Sequence, residues 1–516
     1  MENKKQFIIN MIAQIIAFMV NGCISFFLTP YIVNAIGVEA NGFVSLANEF
    51  VQYAQLLTVS LNSMAGRFIT IRMHKKDKEG AVEYFSSIFI ANLLLSTFLC
   101  VIFILIICYL EKLVNVSTDI VGDVKFLWTF VFTNFILSIF SSIYSTSTFI
   151  KNRLDLSALA NIISYIIKGT ILIIAYVILK SKVVWIIGLA TLGSGLFNLL
   201  SNIYYKNKLT KELKIDKSRF NLNKIKELFM SGIWNTVSKL SSILSSGLSL
   251  LITNVFVNDF YMGILSLAKT IPHLILSLFA VLSNLFAPQL TMYYAKGDFE
   301  GMKKHLIMAI KILSVFSSIP IAVLLAFGKE FYALWAPTQD ANLLYIVTII
   351  SCIELTFCLV LEPLYNIFTI TNKVKNSSLF LLISSIASII TVFIGIIIIE
   401  DPIVRLLIIA GTSTFYSCIR VLLFLPMYGA KCIKSKITTF YPTILKSTLS
   451  TVILSIIGVV IKMNFKINTW LTLIIMVIAV GVSGIIVNYF LMFDKKDKRK
   501  LWNIIKRIKE KEDLTQ

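Results

Sequence analysis

The chain has 516 residues, of which 57% are hydrophobic and 15% charged, at a mean hydropathy of +0.83. A soluble domain needs far more polar surface, so this composition excludes one. The net charge of +21 would suit nucleic acid. Its basic residues gather instead at the ends of apolar stretches, where they orient helices and meet anionic lipid headgroups, so a nucleic-acid partner is set aside.

The apolar stretches are long enough to cross a hydrocarbon core of about 30 Å at about 1.5 Å per residue, and helices satisfy their own backbone there. The pattern predicts about fourteen spans, in order 7–36, 41–71, 81–110, 121–150, 156–179, 183–205, 225–256, 260–292, 302–328, 341–371, 376–399, 403–430, 440–462 and 467–493. The expected fold class is an all-α integral membrane protein. The first stretch is longer than a signal-peptide core and shows no cleavage pattern, so it reads as a span. Alternating the spans puts most Lys and Arg residues on the side of the N-terminus, which makes both termini cytoplasmic.

Two motifs recur at one offset. Gly42-Phe43-Val44-Ser45-Leu46-Ala47 returns as Gly263-Ile264-Leu265-Ser266-Leu267-Ala268, and Lys75-Lys76-Asp77-Lys78-Glu79-Gly80 returns as Lys296-Gly297-Asp298-Phe299-Glu300-Gly301. A weaker echo pairs Tyr144 with Tyr365, and Asn152-Arg153 with Asn372-Lys373. Six spans separate the copies, so they enter the membrane from the same side, as parallel repeats do. The expected organisation is a six-helix lobe over 1–205, a basic cytoplasmic linker over 206–226 and a second six-helix lobe over 227–430. Two further helices follow within 431–493, and a basic tail over 494–516 carries Leu501, Ile504, Ile505 and Ile508 at helical spacing for the inner leaflet.

An ionisable side chain near the bilayer centre costs about 2.5–3.5 kcal/mol on insertion scales, so it faces water or a partner. Such residues are Glu49 in span two, Lys168 in span five, Lys239 in span seven, Lys269 in span eight, Glu354 and Glu362 in span ten and Arg420 in span twelve. The repeat aligns Asn48-Glu49 with Lys269-Thr270, placing opposite charges at equivalent depths. One reading gives Lys239 and Lys269 an anionic head group, with Glu49, Asn48 and Gln52 receiving hydroxyls. The other makes Glu49 and a lysine a structural ion pair. For Lys168, Glu354, Glu362 and Arg420 structural roles are favoured: pairing for Lys168, snorkelling for Arg420, and capping beside Pro363 for Glu362. Pro272, one turn from Lys269, would loosen its helix.

The seven cysteines lie in or beside apolar spans without a C-x-x-C pair and are expected to be buried and inert. His74, His273 and His305 lack a second ligand at metal spacing, so no metal site is expected. The outer loops are short, and no nucleophile constellation, carboxylate pair or phosphate loop stands out, which argues against an enzyme.

Ile36-Gly37, Asn41-Gly42-Phe43 and Ala65-Gly66-Arg67-Phe68 around span two resemble an early signature of the Wzx-type polysaccharide flippases. These belong to the superfamily that also holds lipid II flippases and multidrug and toxin extrusion transporters. Lys226-Glu227-Leu228-Phe229 with Trp234, and Pro320 through Leu334-Trp335, resemble the start and ninth span of its second lobe. The resemblance implies fourteen spans in two lobes around a cationic cavity, in a bacterial plasma membrane. It implies export of a lipid-linked oligosaccharide by alternating access, with basic residues on the lipid pyrophosphate. Lys239 and Lys269 match in character, and Arg67 stands in the signature itself. Membrane lipids and polysaccharide-assembly proteins are the implied partners. No cofactor is implied, and proton or sodium coupling would run through Glu49 or Glu354, though nothing in the sequence demands it. The rival functions are a multidrug antiporter, which would prefer carboxylates, and a membrane-embedded glycan polymerase or ligase, which the short outer loops disfavour.

Overall fold

The computed structural model describes residues 2–495, 497 and 498, and every regular element among them is helical. In chain order the long helices are α1 (Glu2–Ile36), α2 (Val38–His74), α3 (Lys78–Cys108), α4 (Val121–Ile150), α5 (Leu154–Ile178), α6 (Trp185–Leu209), α7 (Leu222–Phe256) and α8 (Asp259–Ala295). They continue with α9 (Phe299–Trp335), α10 (Ala341–Cys352, Leu355–Leu361 and Pro363–Ile370), α11 (Val374–Ile398), α12 (Pro402–Cys432), α13 (Tyr441–Asn464) and α14 (Trp470–Met492).

Among the described residues, twelve helices are long and apolar enough to cross a membrane, and the first two pieces of α10, bent by 41°, make a thirteenth. The remaining one is α2. It has the length of a span, but Glu49, Gln52, Gln55, Asn62 and Arg67 along it lower its hydropathy below that of its neighbours. Span ten is broken where the sequence showed one apolar run, at Ile353–Glu354 and again at Glu362, where Pro363 cannot continue the hydrogen-bond ladder of the second piece.

Local chemistry explains the turns. Gly37 joins α1 to α2 at φ 86°, a left-handed conformation open to glycine. The duplicated K-x-D-x-E-G motif builds one device twice. Its second residue, Lys76 or Gly297, adopts positive φ (61° and 70°), and its Asp accepts the backbone N–H three residues on. Asp77 binds the Gly80 amide at 2.9 Å to cap α3, and Asp298 binds the Gly301 amide at 2.7 Å to cap α9. Glycine is needed at the end of the motif, since a Cβ there would strike the capping carboxylate. The weaker echo is conformational too, with Asn152 and Asn372 at φ 53° and 54°.

The chain forms two compact units, Met1–Thr270 with Lys375–Ser413, and Ile271–Val374 with Thr414–Gln516. In the first unit Leu61, Ile69, Tyr84, Phe85 and Leu228 form a buried core between α2, α3 and the start of α7. The 206–226 segment is anchored there: Ser86 Oγ receives the Asp216 amide, Ser87 Oγ receives the Asn221 amide, and Asn221 donates to Glu83. In the second unit Leu306, Leu361, Leu364, Val421 and Phe440 are fully buried together. There α13 and α14 are fastened to α9 by Asn488, which donates to Ser318 and accepts from Ser450, both at 2.9 Å. Lys462 of α13 pairs with Glu330 of α9 at 2.8 Å.

Many large apolar side chains face outward, among them Met463 at 82% and Ile397 at 79% exposure, as lipid-facing residues do. Cys23, Cys100 and Cys108 share this outward placement and are exposed, whereas burial was expected for all seven cysteines. Their helices carry apolar residues on the outer face as well as the inner one, so hydrophobicity alone does not fix the inward side. The amphipathic pattern at Leu501–Ile508 lies outside the described residues.

Candidate functional site

The polar residues of α2 and α7 meet within the first unit. Ser60 Oγ donates to the Phe229 carbonyl at 2.7 Å, Asn235 donates to Ser63 at 3.1 Å, and Lys239 Nζ donates to Gln52 Oε1 at 3.1 Å. Close approach of the helices depends on Gly232, where a Cβ would collide with the Ser60 carbonyl.

Beyond Lys239, α7 changes geometry. Residues Ile243–Gly247 form a π turn, which displaces backbone carbonyls from the regular ladder. The Tyr53 hydroxyl donates to the Gly247 carbonyl at 2.6 Å, with Glu49 Oε2 3.3 Å from the same hydroxyl. Lys269 Nζ donates to Ser249 Oγ and lies 3.5 Å from the Ser246 carbonyl. Glu49 is only 8% exposed, and it is offset by Tyr53, by the Leu250 amide and by the nearby Lys269 charge. Burying a carboxylate without such partners would cost several kcal/mol.

The structure thus brings Glu49, Gln52, Lys239 and Lys269 onto adjoining turns of α2, α7 and α8. Asn48 is turned away, exposed and bonded to the Val44 carbonyl of its own helix at 2.9 Å. Arg67 is exposed at the basic end of α2. Lys168 is half-buried in α5 and has no hydrogen-bond or ion-pair partner among the described residues.

Arg420, Glu354 and Glu362 belong to the second unit. Arg420 does not reach for the surface. It donates to the Tyr365 hydroxyl at 2.5 Å and stacks over that ring at 5.9 Å, with Glu354 and Glu362 within charge range. Arg420 stands at the head of another π turn, Arg420–Phe424.

Sequence reasoning passed over Tyr53, Ser246, Gly247 and Ser249, whose roles arise from the π turn. It also passed over a polar cavity among α4, α5 and α6, although Ser194, Asn198 and Asn202 recur every fourth residue. Among the described residues no group of three or more His, Cys, Asp or Glu side chains is arranged to hold a metal ion.

The family model described as "Polysaccharide biosynthesis protein" matches residues 4–294. An uncharacterized membrane protein of Bacillus subtilis (strain 168), EpsK, is 27% identical over 377 residues, 72% of this chain and 74% of EpsK. Among solved structures, the lipid II flippase MurJ in an inward closed conformation is similar over 92% of this chain and 98% of its own, at 16% identity and TM-score 0.63. An inward-facing MATE multidrug resistance transporter of the MOP superfamily is similar over 81% of this chain and 96% of its own, at 15% identity and TM-score 0.62. At these identities the structures show a shared fold.

Proposed function

This chain belongs to the family of polysaccharide biosynthesis proteins, and from that premise we propose that it moves an undecaprenyl-pyrophosphate-linked oligosaccharide from the inner to the outer leaflet of a bacterial plasma membrane by alternating access. The observation that carries the reading is Lys239. It is a half-buried ammonium midway along a membrane helix, and its hydrogen-bond partner is the neutral Gln52 amide. A neutral acceptor leaves that charge uncompensated, and a pyrophosphate would supply strong, charge-assisted hydrogen bonds. Lys269 lies on the next helix, where an arriving anion would compete with Glu49 for it.

The lipid flippase among the proteins of this fold supports a lipid-linked cargo. In this reading the protein is a transporter rather than an enzyme, both termini are cytoplasmic, and polymer-assembling proteins work beside it. Proton or sodium coupling would act on Glu49, whose charge balance with Lys269 the cargo disturbs. Pro272 would let α8 bend during the cycle. The test is translocation of a lipid-linked oligosaccharide in vesicles containing the protein. Activity that falls in Lys239→Ala while insertion is normal supports the reading, and equal rates contradict it.

A further inference from the structure

We infer that the open cleft between α4, α5 and α6 is a binding site for a neutral, polyhydroxylated ligand of the sugar class. It measures about 360 Å³ and is lined by asparagine and serine side chains together with Gly195 and Tyr165, with no carboxylate, ammonium, guanidinium or imidazole among them. That volume lies in the range of small-molecule pockets, about 300–1,000 Å³, and would hold on the order of ten waters.

Its wall is a built hydrogen-bond network. Asn198 Nδ2 donates to Asn161 Oδ1 at 2.7 Å, Asn202 Nδ2 donates to Asn198 Oδ1 at 2.8 Å, and Ser141 Oγ donates to Asn198 Oδ1 at 2.9 Å. Ser138, Ser142 and Ser194 spend their hydroxyl protons on carbonyls of their own helices, so their oxygens are left as acceptors. Three polar atoms are left over. Asn202 Oδ1, Ser164 Oγ and Asn134 Oδ1 are buried without a hydrogen-bond partner among the described residues, and Asn202 and Ser164 are 3% and 4% exposed. Native interiors rarely leave such groups unpaired, because each costs about 1–3 kcal/mol. Gly195 keeps room for one of them, since a Cβ there would run into the Asn134 amide.

A ligand that suits this wall must donate hydrogen bonds to buried acceptors while carrying no charge for the wall to balance. Sugar hydroxyls meet both conditions. A bare cation would find oxygen ligands but no compensating carboxylate, in a space far larger than one coordination shell. The identification of the ligand as a sugar rests on the glycan-export reading, and it assigns part of the glycan to the first unit.

The test uses the full chain in lipid nanodiscs, with glucose, galactose, N-acetylglucosamine and inositol as probes, read by saturation-transfer NMR. At least one probe is expected to bind, about tenfold more weakly in Asn202→Leu and in Gly195→Ala. Ser164→Ala, which removes one hydroxyl with little change of shape, gives a smaller loss and guards against misfolding. Absence of binding by every probe overturns the proposal, as does binding unchanged in the three variants. Stabilisation by sodium that these variants abolish, without a sugar signal, also overturns it. Vesicle translocation separates the two readings: transport without sugar binding rejects the pocket alone, and variant-sensitive sugar binding without transport rejects the flippase reading alone.

Discussion

Ser266 Oγ donates to Ser45 Oγ at 2.6 Å, and the two serines stand 221 residues apart in the chain. That separation is the spacing of the duplicated motif, so a segment of α2 pairs with its own copy in α8. One turn earlier, a Cβ on Gly42 would sit 2.9 Å from the Gly263 Cα, which shows how closely the copies approach. One turn later the pairing breaks from symmetry, with Glu49 on one helix and Lys269 on the other.

The contact between copies is testable by cross-linking. Ser45→Cys combined with Ser266→Cys is expected to form a disulfide under mild oxidation, detected by mass spectrometry of the linked peptides, and to arrest transport reversibly if the helices separate during the cycle. Gly42→Val is expected to lower the melting temperature, since its side chain has no room against Gly263.

Glu49 and Lys269 are expected to be energetically coupled. Glu49→Ala leaves a cation and Lys269→Met leaves a buried carboxylate inside the membrane, so each single variant should destabilise. Melting of the two single variants and the double variant should give a coupling of about 0.5–3 kcal/mol, and additive effects would show that the two do not interact.

Lys311 predicts an asymmetry of the same kind. It is 9% exposed and bonds Asp497 at 2.7 Å and Asp494 at 3.1 Å, just past the end of α14. Asp494→Asn with Asp497→Asn strands a buried ammonium, whereas Lys311→Met removes the charge and keeps its bulk. The double asparagine variant should melt lower than Lys311→Met, and equal melting would contradict a stabilising ion pair.

A pH effect follows from Asp77. The Gly80 amide first, and the Arg72 guanidinium beside it, hold the Asp77 carboxyl below its ordinary value. A depressed value in the folded state means stability that is present at neutral pH and lost as pH falls through the folded value, below about 4. Asp77→Asn should be less stable at neutral pH and flatter in its acid melting profile, and a profile parallel to the unmodified protein would contradict the cap.

Much of the fold was legible because helix periods and cap chemistry are local. The K-x-D-x-E-G motif encodes its turn in consecutive residues, so it could be matched across the chain and was found capping α3 and α9. Which of two adjacent polar residues turns inward was not legible. Asn48 and Glu49 differ by one residue, about 100° around a helix, and the packing of α2 decides that Glu49 is enclosed and Asn48 is not. The π turn at Ile243–Gly247 also left no motif, yet it supplies the carbonyls near Tyr53 and Lys269. The serines and asparagines of α4–α6 were hidden among apolar neighbours, with only a four-residue spacing to mark them.

The most direct measurement of the central claim is the rate at which vesicles containing this protein translocate an undecaprenyl-pyrophosphate-linked oligosaccharide, compared between the unmodified chain, Lys239→Arg and Lys239→Ala. Loss of one charge-assisted contact to phosphate should slow Lys239→Ala about tenfold or more, while Lys239→Arg keeps the charge and most of the rate. Equal rates for the unmodified chain and Lys239→Ala, with both inserted to the same level, would contradict the account.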